Sequence, residues 1–423
     1  MPHNVRGEDV LPDPAAPITV RAVEPTDLIS YINHTLGFAP RRSVAAIGLE
    51  GKNLGAVLRC DWDPPRLASW QDYCSYARQF AGYLTRDRRS DGCVVFLFRD
   101  GLEDHQDQPT GNSAGCPAGG ADHMLAAALE RELAVVGQPA VEIWLVTGER
   151  IWHLDCPDPA SCRAHGSSAA GVETSALNAT MIFEGSLVQP EPSGSGLPAA
   201  AASWSAELTR AVQDLLVESR DEWSRTAAMP RERTPSEAAL RWFRAWEHVL
   251  AGGDVPAGPQ ERAFLVAGLA HVEWRDGLLA AASFTMDRAL SGAAWLGSVP
   301  EAVADELGTP AREINAVLYS SVILARTRRA PDWQRISCLR AACTELLPHA
   351  AGGLASAVRC IAAWVEWSRG RGSAAGRIVA ECRADDPEYS LAQLLEEILE
   401  RGILSEWAGR RETAWSATGR SAR

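Results

Sequence analysis

The sequence predicts a mixed α/β domain, a sheet with helices packed on it, followed by an all-helical domain of tetratricopeptide-like hairpins. Three observations carry this expectation. Cys93–Phe98 (CVVFLF) is an unbroken apolar run of strand length, as expected of a strand covered on both faces of a sheet. Two hairpin patterns flank it: Ser43–Cys60, turning at Gly51-Lys52-Asn53, and Val141–Leu154, turning at Gly148. Hairpins beside such a run make the sheet mixed. From Ser203 to about Trp407, apolar residues recur at helical spacing and no convincing strand stands out,. PEPSGSGLPAAAA at 190–202 has the composition of a linker,. The expected organisation is a leader over 1–17, an α/β domain over 18–189, the linker 190–202, a helical domain over 203–407 and a disordered tail over 408–423.

In order, Ile18–Val23 is a short strand pattern, and Pro25-Thr26-Asp27 starts a helix that Thr26 or Asp27 can cap,. Leu28, Ile29, Ile32 and Leu36 follow at helical spacing, and Gly37 ends that helix as a C′ glycine,. Asp61-Trp62-Asp63-Pro64-Pro65 closes the first hairpin; Trp70, Tyr73, Ala77, Phe80, Ala81 and Leu84 mark the next helix,. Residues 99–121 read as a long polar loop and Met124–Val136 as an Ala/Leu-rich helix,. Helical runs then fall near 203–226, 235–251, 259–290, 299–328, 332–347, 353–369, 373–384 and 390–401. His271–Gly277 and Trp364–Gly370 echo each other weakly, a hint of stacked hairpins,.

The 423 residues carry a net charge of −13 and 46% hydrophobic residues. That balance speaks against a nucleic-acid or anionic-membrane surface. Lys52 is the only lysine, so Schiff-base or P-loop chemistry has one candidate, and it sits in a turn. The first residues lack an apolar signal segment, and no stretch of about 18 apolar residues occurs,. A cytoplasmic location is expected, where the ten cysteines read as buried thiols or metal ligands,.

Chemistry-bearing residues are few. His153, Cys156, Cys162 and His165 form H-x2-C-x5-C-x2-H. All four are zinc-ligand types, but the pattern lacks a C-x2-C knuckle, and a Cys/Pro-rich loop with buried thiols is the competing reading. Beyond zinc, no cofactor is expected. Gly111-Asn112-Ser113-Ala114-Gly115 matches G-x-S-x-G, yet the preceding strand ends too early for a nucleophile elbow. P-loop, H-E-x-x-H and G-x-G-x-x-G dinucleotide patterns do not occur,. Arg59 and Asp61 share a face of the second hairpin strand by alternation,. With Ser43 at the other end of the hairpin they are the catalytic candidates at a sheet-edge pocket.

Leu36-Gly37-Phe38-x-Pro40-x2-Ser43-Val44, Arg59-x-Asp61, the Trp152…Cys156…Cys162…Gly166 loop, Arg275-Asp276 and Asp386-Pro387-x-Tyr389-Ser390-Leu391-Ala392-x-Leu394-Leu395 with Gly402 span most of the chain. In this set the sequence resembles an actinobacterial family of unknown function, DUF4192. The family shows a Cys-Cys-Pro-like step where this chain has Ser161-Cys162-Arg163, which weakens a shared metal site. The resemblance implies no activity. The expected function is binding or scaffolding, with an unknown protein partner on the helical domain, no nucleic acid and no membrane; homo-oligomerisation stays open. The alternative is a small-molecule enzyme, hydrolase-like, with a pocket on the α/β domain.

Overall fold

The computed structural model describes residues 24–62, 69–86, 90–99, 120–154, 166–183, 186–188, 195–226, 237–295, 319–322, 324–410 and 412–415, with Ala22 and Leu67. Of the strand expected at Ile18–Val23 only Ala22 is described, the leader and residues 100–119 of the expected loop lie outside the described residues, and Gly120 and Ala121 already belong to a helix. Strands β1 (Ser43–Glu50), β2 (Asn53–Asp61), β3 (Gly92–Arg99), β4 (Ala140–Thr147), β5 (Arg150–His153) and β6 (Ser167–Ser168) form one sheet in the order β2-β1-β3-β4-β5-β6. Only β3 and β4 run parallel, as a strand pair joined through a crossover helix must. That helix is α3 (Gly120–Val135). The CVVFLF run is β3, flanked on both sides and buried from Gly92 to Phe98.

Alternation splits the strand residues between two cores. Val44, Ala46, Cys93, Val95, Leu97 and Leu145 face α3 and α2 (Trp70–Leu84). Ala45, Ile47, Val94, Phe96, Phe98 and Trp144 face α1 (Pro25–Leu36). Two short helices not foreseen from the sequence, α4 (Gly171–Thr174) and α5 (Ala176–Phe183), also pack on α1. Helix α1 begins at least two residues earlier than a cap at Thr26 or Asp27 would place it, with Glu24 as the N-cap. Pro25 takes the first helical position, and the Asp27 carboxylate accepts the Glu24 N–H at 3.2 Å. Gly37 ends it at φ +81°, its N–H reaching Asn33 O at 2.8 Å.

The elements described from there on are helices: α6 (Ala206–Thr226), α7 (Glu237–Leu250), α8 (Pro259–Ala267), α9 (Val272–Ser283), α10 (Met286–Trp295), α11 (Trp333–Leu346), α12 (Gly353–Ser368), α13 (Gly372–Asp385) and α14 (Ser390–Glu400). Helix α12 is buried from Leu354 through Ser368, and its partners include α11, α13 and α14. The run expected over 259–290 is three helices. Gly268 opens a tight turn where a Cβ would stand 2.1 Å from the Trp242 indole, and Phe284 leaves the helical region of φ/ψ. The two echoing segments do not form equivalent units, since His271–Gly277 opens α9 whereas Trp364–Gly370 closes α12. Most of the run expected over 299–328 lies outside the described residues. Residues 195–202 are held against the helices: Ser195 N and Oγ meet Glu381 at 2.7 and 2.5 Å, and Ala201 N donates to Ala350 O. No helix among the described residues is long and apolar enough to cross a membrane.

Candidate functional site

Strand β2 ends the sheet, and no strand among the described residues pairs with its outer edge. A bulge opposite Ile47 and Leu49 re-aims it,. The Asp61 carbonyl accepts the Tyr76 hydroxyl proton at 3.0 Å, so it points away from β1. With the alternation of an antiparallel ladder, the main-chain groups of Arg59 and Val57 face the same way. At the other end the Tyr31 hydroxyl donates to Gly55 O at 2.8 Å.

The start of α13 and the end of α14 stand opposite this edge. Two donors from the sheet side dock them. Tyr83 Oη donates to Glu400 O at 2.6 Å, and Arg86 Nη2 donates to Arg401 O at 2.7 Å. Both acceptors belong to the end of α14, where carbonyls lack intrahelical partners. Gly402 follows at φ +58°, and a Cβ there would sit 2.0 Å from Tyr83 Cδ1. The two parts of the chain meet at contact distance only because this residue is glycine.

Between the walls lies a cavity of about 420 Å³. Leu36, Phe38, Phe80, Leu84, Trp367 and Leu399 supply apolar lining; Arg59, Asp61, Tyr76, Arg371 and Ser373 supply polar groups. The volume and the few polar groups among apolar walls suit a small organic ligand. Arg59, whose side chain is 5% exposed, pairs with Asp61 at 2.7 Å and also donates to Arg41 O. Its guanidinium lies over the Phe38 ring at 5.8 Å while Arg377 of α13 lies over the same ring at 5.2 Å. Phe38 thus links the walls through two cation–π contacts.

The thiol and the two phenols beside the cavity are held protonated. Burial first, then Asp61, pushes the Cys60 thiol up to about 12. Tyr76 is pushed well above the usual tyrosine range by burial, with Cys60 and Asp61 adding to it. Burial also raises Tyr83. A thiol and phenols kept protonated are poor nucleophiles and bases.

Of the residues singled out from the sequence, Arg59 and Asp61 line the cavity and Ser43 does not. Ser43 is fully buried in β1, opposite Asp61 and Phe98, and its hydroxyl has no partner among the described residues. No substrate can reach it there. His153 stacks on Trp144 with ring centroids 4.5 Å apart. Cys156, Cys162 and His165 lie outside the described residues, as does the G-x-S-x-G stretch, and no metal-binding cluster forms among the described residues. The seven described cysteines are free thiols.

Sequence reading missed Arg371, Ser373, Tyr83 and Trp367. Gly370-Arg371-Gly372-Ser373 reads as an ordinary turn, and nothing in it reports that it faces β2. The adjacent Arg275 and Asp276 meet Tyr389, 114 positions on from Arg275, elsewhere, inside the helical region. Arg275 grips Asp276 at 2.9 Å and donates to Tyr389 Oη at 3.2 Å, tying α9 to the start of α14.

Residues 25–405 match the model of a family described as a domain of unknown function, DUF4192. The chain belongs to DUF4192. No curated protein and no solved structure matches it. The residues that carry the DUF4192 resemblance sort into places. Phe38, Arg59, Asp61 and Gly402 converge on the cleft, Arg275 and Tyr389 pin helices, and Gly166 lets the chain pass Trp152, whose ring would lie 3.0 Å from a Cβ.

Proposed function

We propose that this DUF4192 protein binds a small organic molecule in the cleft between the β2 edge and the α13–α14 hairpin, and that its role is recognition rather than chemical conversion. The observation that carries this reading is the cavity itself, enclosed by two parts of the chain and apolar on most sides, with the Cys60 thiol and the Tyr76 phenol held protonated. The hydrolase-like alternative loses its nucleophile, because Ser43 is sealed in the sheet. A protein-docking stripe on the helical region has less to support it. Trp242, Trp246, Trp364, Trp367 and Trp407 are core residues.

The test is extraction of protein purified from native lysate, followed by mass spectrometry of the released small molecules. Ala374→Phe, which fills the cleft from the α13 wall, serves as the control. A stoichiometric molecule that co-purifies with the wild type, is missing from Ala374→Phe and is returned unchanged after incubation is the expected result. A cleft-dependent molecule that the protein converts would make it an enzyme. Molecules retained equally by both proteins would remove the cleft from consideration.

A further inference from the structure

We propose that the cleft takes an amphipathic organic carboxylate, with its charged head against Arg371 and Ser373 and its apolar body against Phe38, Phe80 and Leu399. The proposal rests on the cleft being the binding site and adds the chemical class of the occupant.

Donor accounting leads to Arg371. The protons of the Tyr76 and Tyr83 hydroxyls are committed to the carbonyls of Asp61 and Glu400. Arg59 is engaged by Asp61 and Arg41 O. Arg371 Nη1 meets Glu366 Oε2 at 3.2 Å, but its Nη2 extends across the cleft to within 3.6 Å of where a Gly37 Cβ would stand. No acceptor among the described residues meets it there. The Ser373 hydroxyl, on the same wall, is likewise without a hydrogen bond among the described residues.

Charge points the same way. Glu366, 4% exposed, also receives Arg340 at 2.9 Å and Arg369 at 3.7 Å. Three guanidiniums therefore surround one carboxylate. Arg369 is nearly as buried as Glu366, and its Nε has no acceptor among the described residues. Trp415 lies over Arg369 and Arg371 with centroid distances of 4.9 and 5.9 Å, which offsets part of the excess. An under-compensated cluster of positive charge out of water favours an anion. With one uncommitted guanidinium edge on the cleft, a singly charged carboxylate fits better than a doubly charged phosphate. The first turn of α13 has no side-chain cap. Its amides add donors to this wall without making the site by themselves.

The test measures dissociation constants for size-matched arylalkanoic acids and their primary amides, led by 4-phenylbutanoate and 4-phenylbutanamide. Intrinsic tryptophan fluorescence and calorimetry are the readouts, on wild type, Arg371→Gln, Arg371→Lys, Ser373→Ala and Ala374→Phe. The acids should bind the wild type about tenfold or more tightly than the amides, the margin of a charge-assisted hydrogen bond. Arg371→Gln should erase that ratio, Arg371→Lys should restore part of it, and Ala374→Phe should exclude both classes. Acids and amides binding equally, and both being lost in Ala374→Phe, would overturn the carboxylate assignment and leave the cleft reading standing. Binding of neither class, or binding indifferent to Ala374→Phe, would overturn both.

Discussion

Replacing Gly402 by alanine puts a methyl group where the Tyr83 ring already stands. The cost has two sources. Gly402 sits at φ +58°, and the left-handed region costs an alanine roughly 1–2 kcal/mol. The new Cβ would lie 2.0 and 2.2 Å from Tyr83 Cδ1 and Cε1, so something must move. The ring is not free to swing away, because its hydroxyl is held by Glu400 O and by the Gln79 amide. Overpacking of this kind costs roughly 1–3 kcal/mol. Together Gly402→Ala should destabilise by about 2–5 kcal/mol. In a Tyr83→Ala background the collision disappears and only the backbone cost of about 1–2 kcal/mol remains. Urea unfolding of wild type, both single variants and the double variant, followed by circular dichroism, gives the coupling directly. It should be about 1–3 kcal/mol. The same cost for Gly402→Ala with and without the Tyr83 ring would refute the close docking of α14 on α2, and with it the cleft.

Glu366→Gln removes the carboxylate around which Arg340, Arg369 and Arg371 gather and should cost about 3–5 kcal/mol in urea unfolding, as stripping one partner from a buried ion cluster does. Ser43→Ala deletes a buried hydroxyl that has no partner among the described residues. It should leave stability unchanged or raised, and ligand binding unaffected; a loss of binding would return Ser43 to the site. The imidazoles of His271 and His349 sit below the ordinary 6.5, His271 through burial and His349 through burial and then Arg262, which donates to its Nε2 at 2.8 Å. A depressed folded-state value means the unfolded chain takes up the proton first, so their contribution is whole above about pH 6.5 and is lost as pH falls through the folded values. Urea midpoints measured between pH 8 and pH 5 should fall less steeply for a His271→Phe, His349→Gln variant; parallel curves would remove both histidines from the account.

The fold was legible where local signals were strong. CVVFLF could only be a central strand, and the Gly51 turn with its flanking apolar runs gave the β1–β2 pairing almost to the residue. The breaks within 259–290 were not legible: the one at Gly268 is where the chain passes Trp242, a contact no local pattern reports, and the one at Phe284 falls at a residue that is no local breaker. Nor were α4 and α5, short helices formed by packing on α1. Half of the candidate site could be read. Alternation placed Arg59 and Asp61 together, and they pair at 2.7 Å. The other half could not, since Arg371 and Gly402 come to the site by docking across contacts such as Tyr83–Glu400, 317 positions apart. Ser43 failed for a simpler reason: it lies at the start of a strand whose first six residues are all buried.

The outer edge of β2 has a consequence for anyone who divides this chain. Tyr31 and Tyr76 cap its two ends, and the α13–α14 hairpin stands over the middle. Cut away the helices, and the outward-facing amides and carbonyls near Val57 and Arg59 become a template for a second copy of the same strand. The sheet expressed alone should dimerise edge to edge or precipitate. The helical region is therefore a shield for the sheet as much as a wall of the cleft.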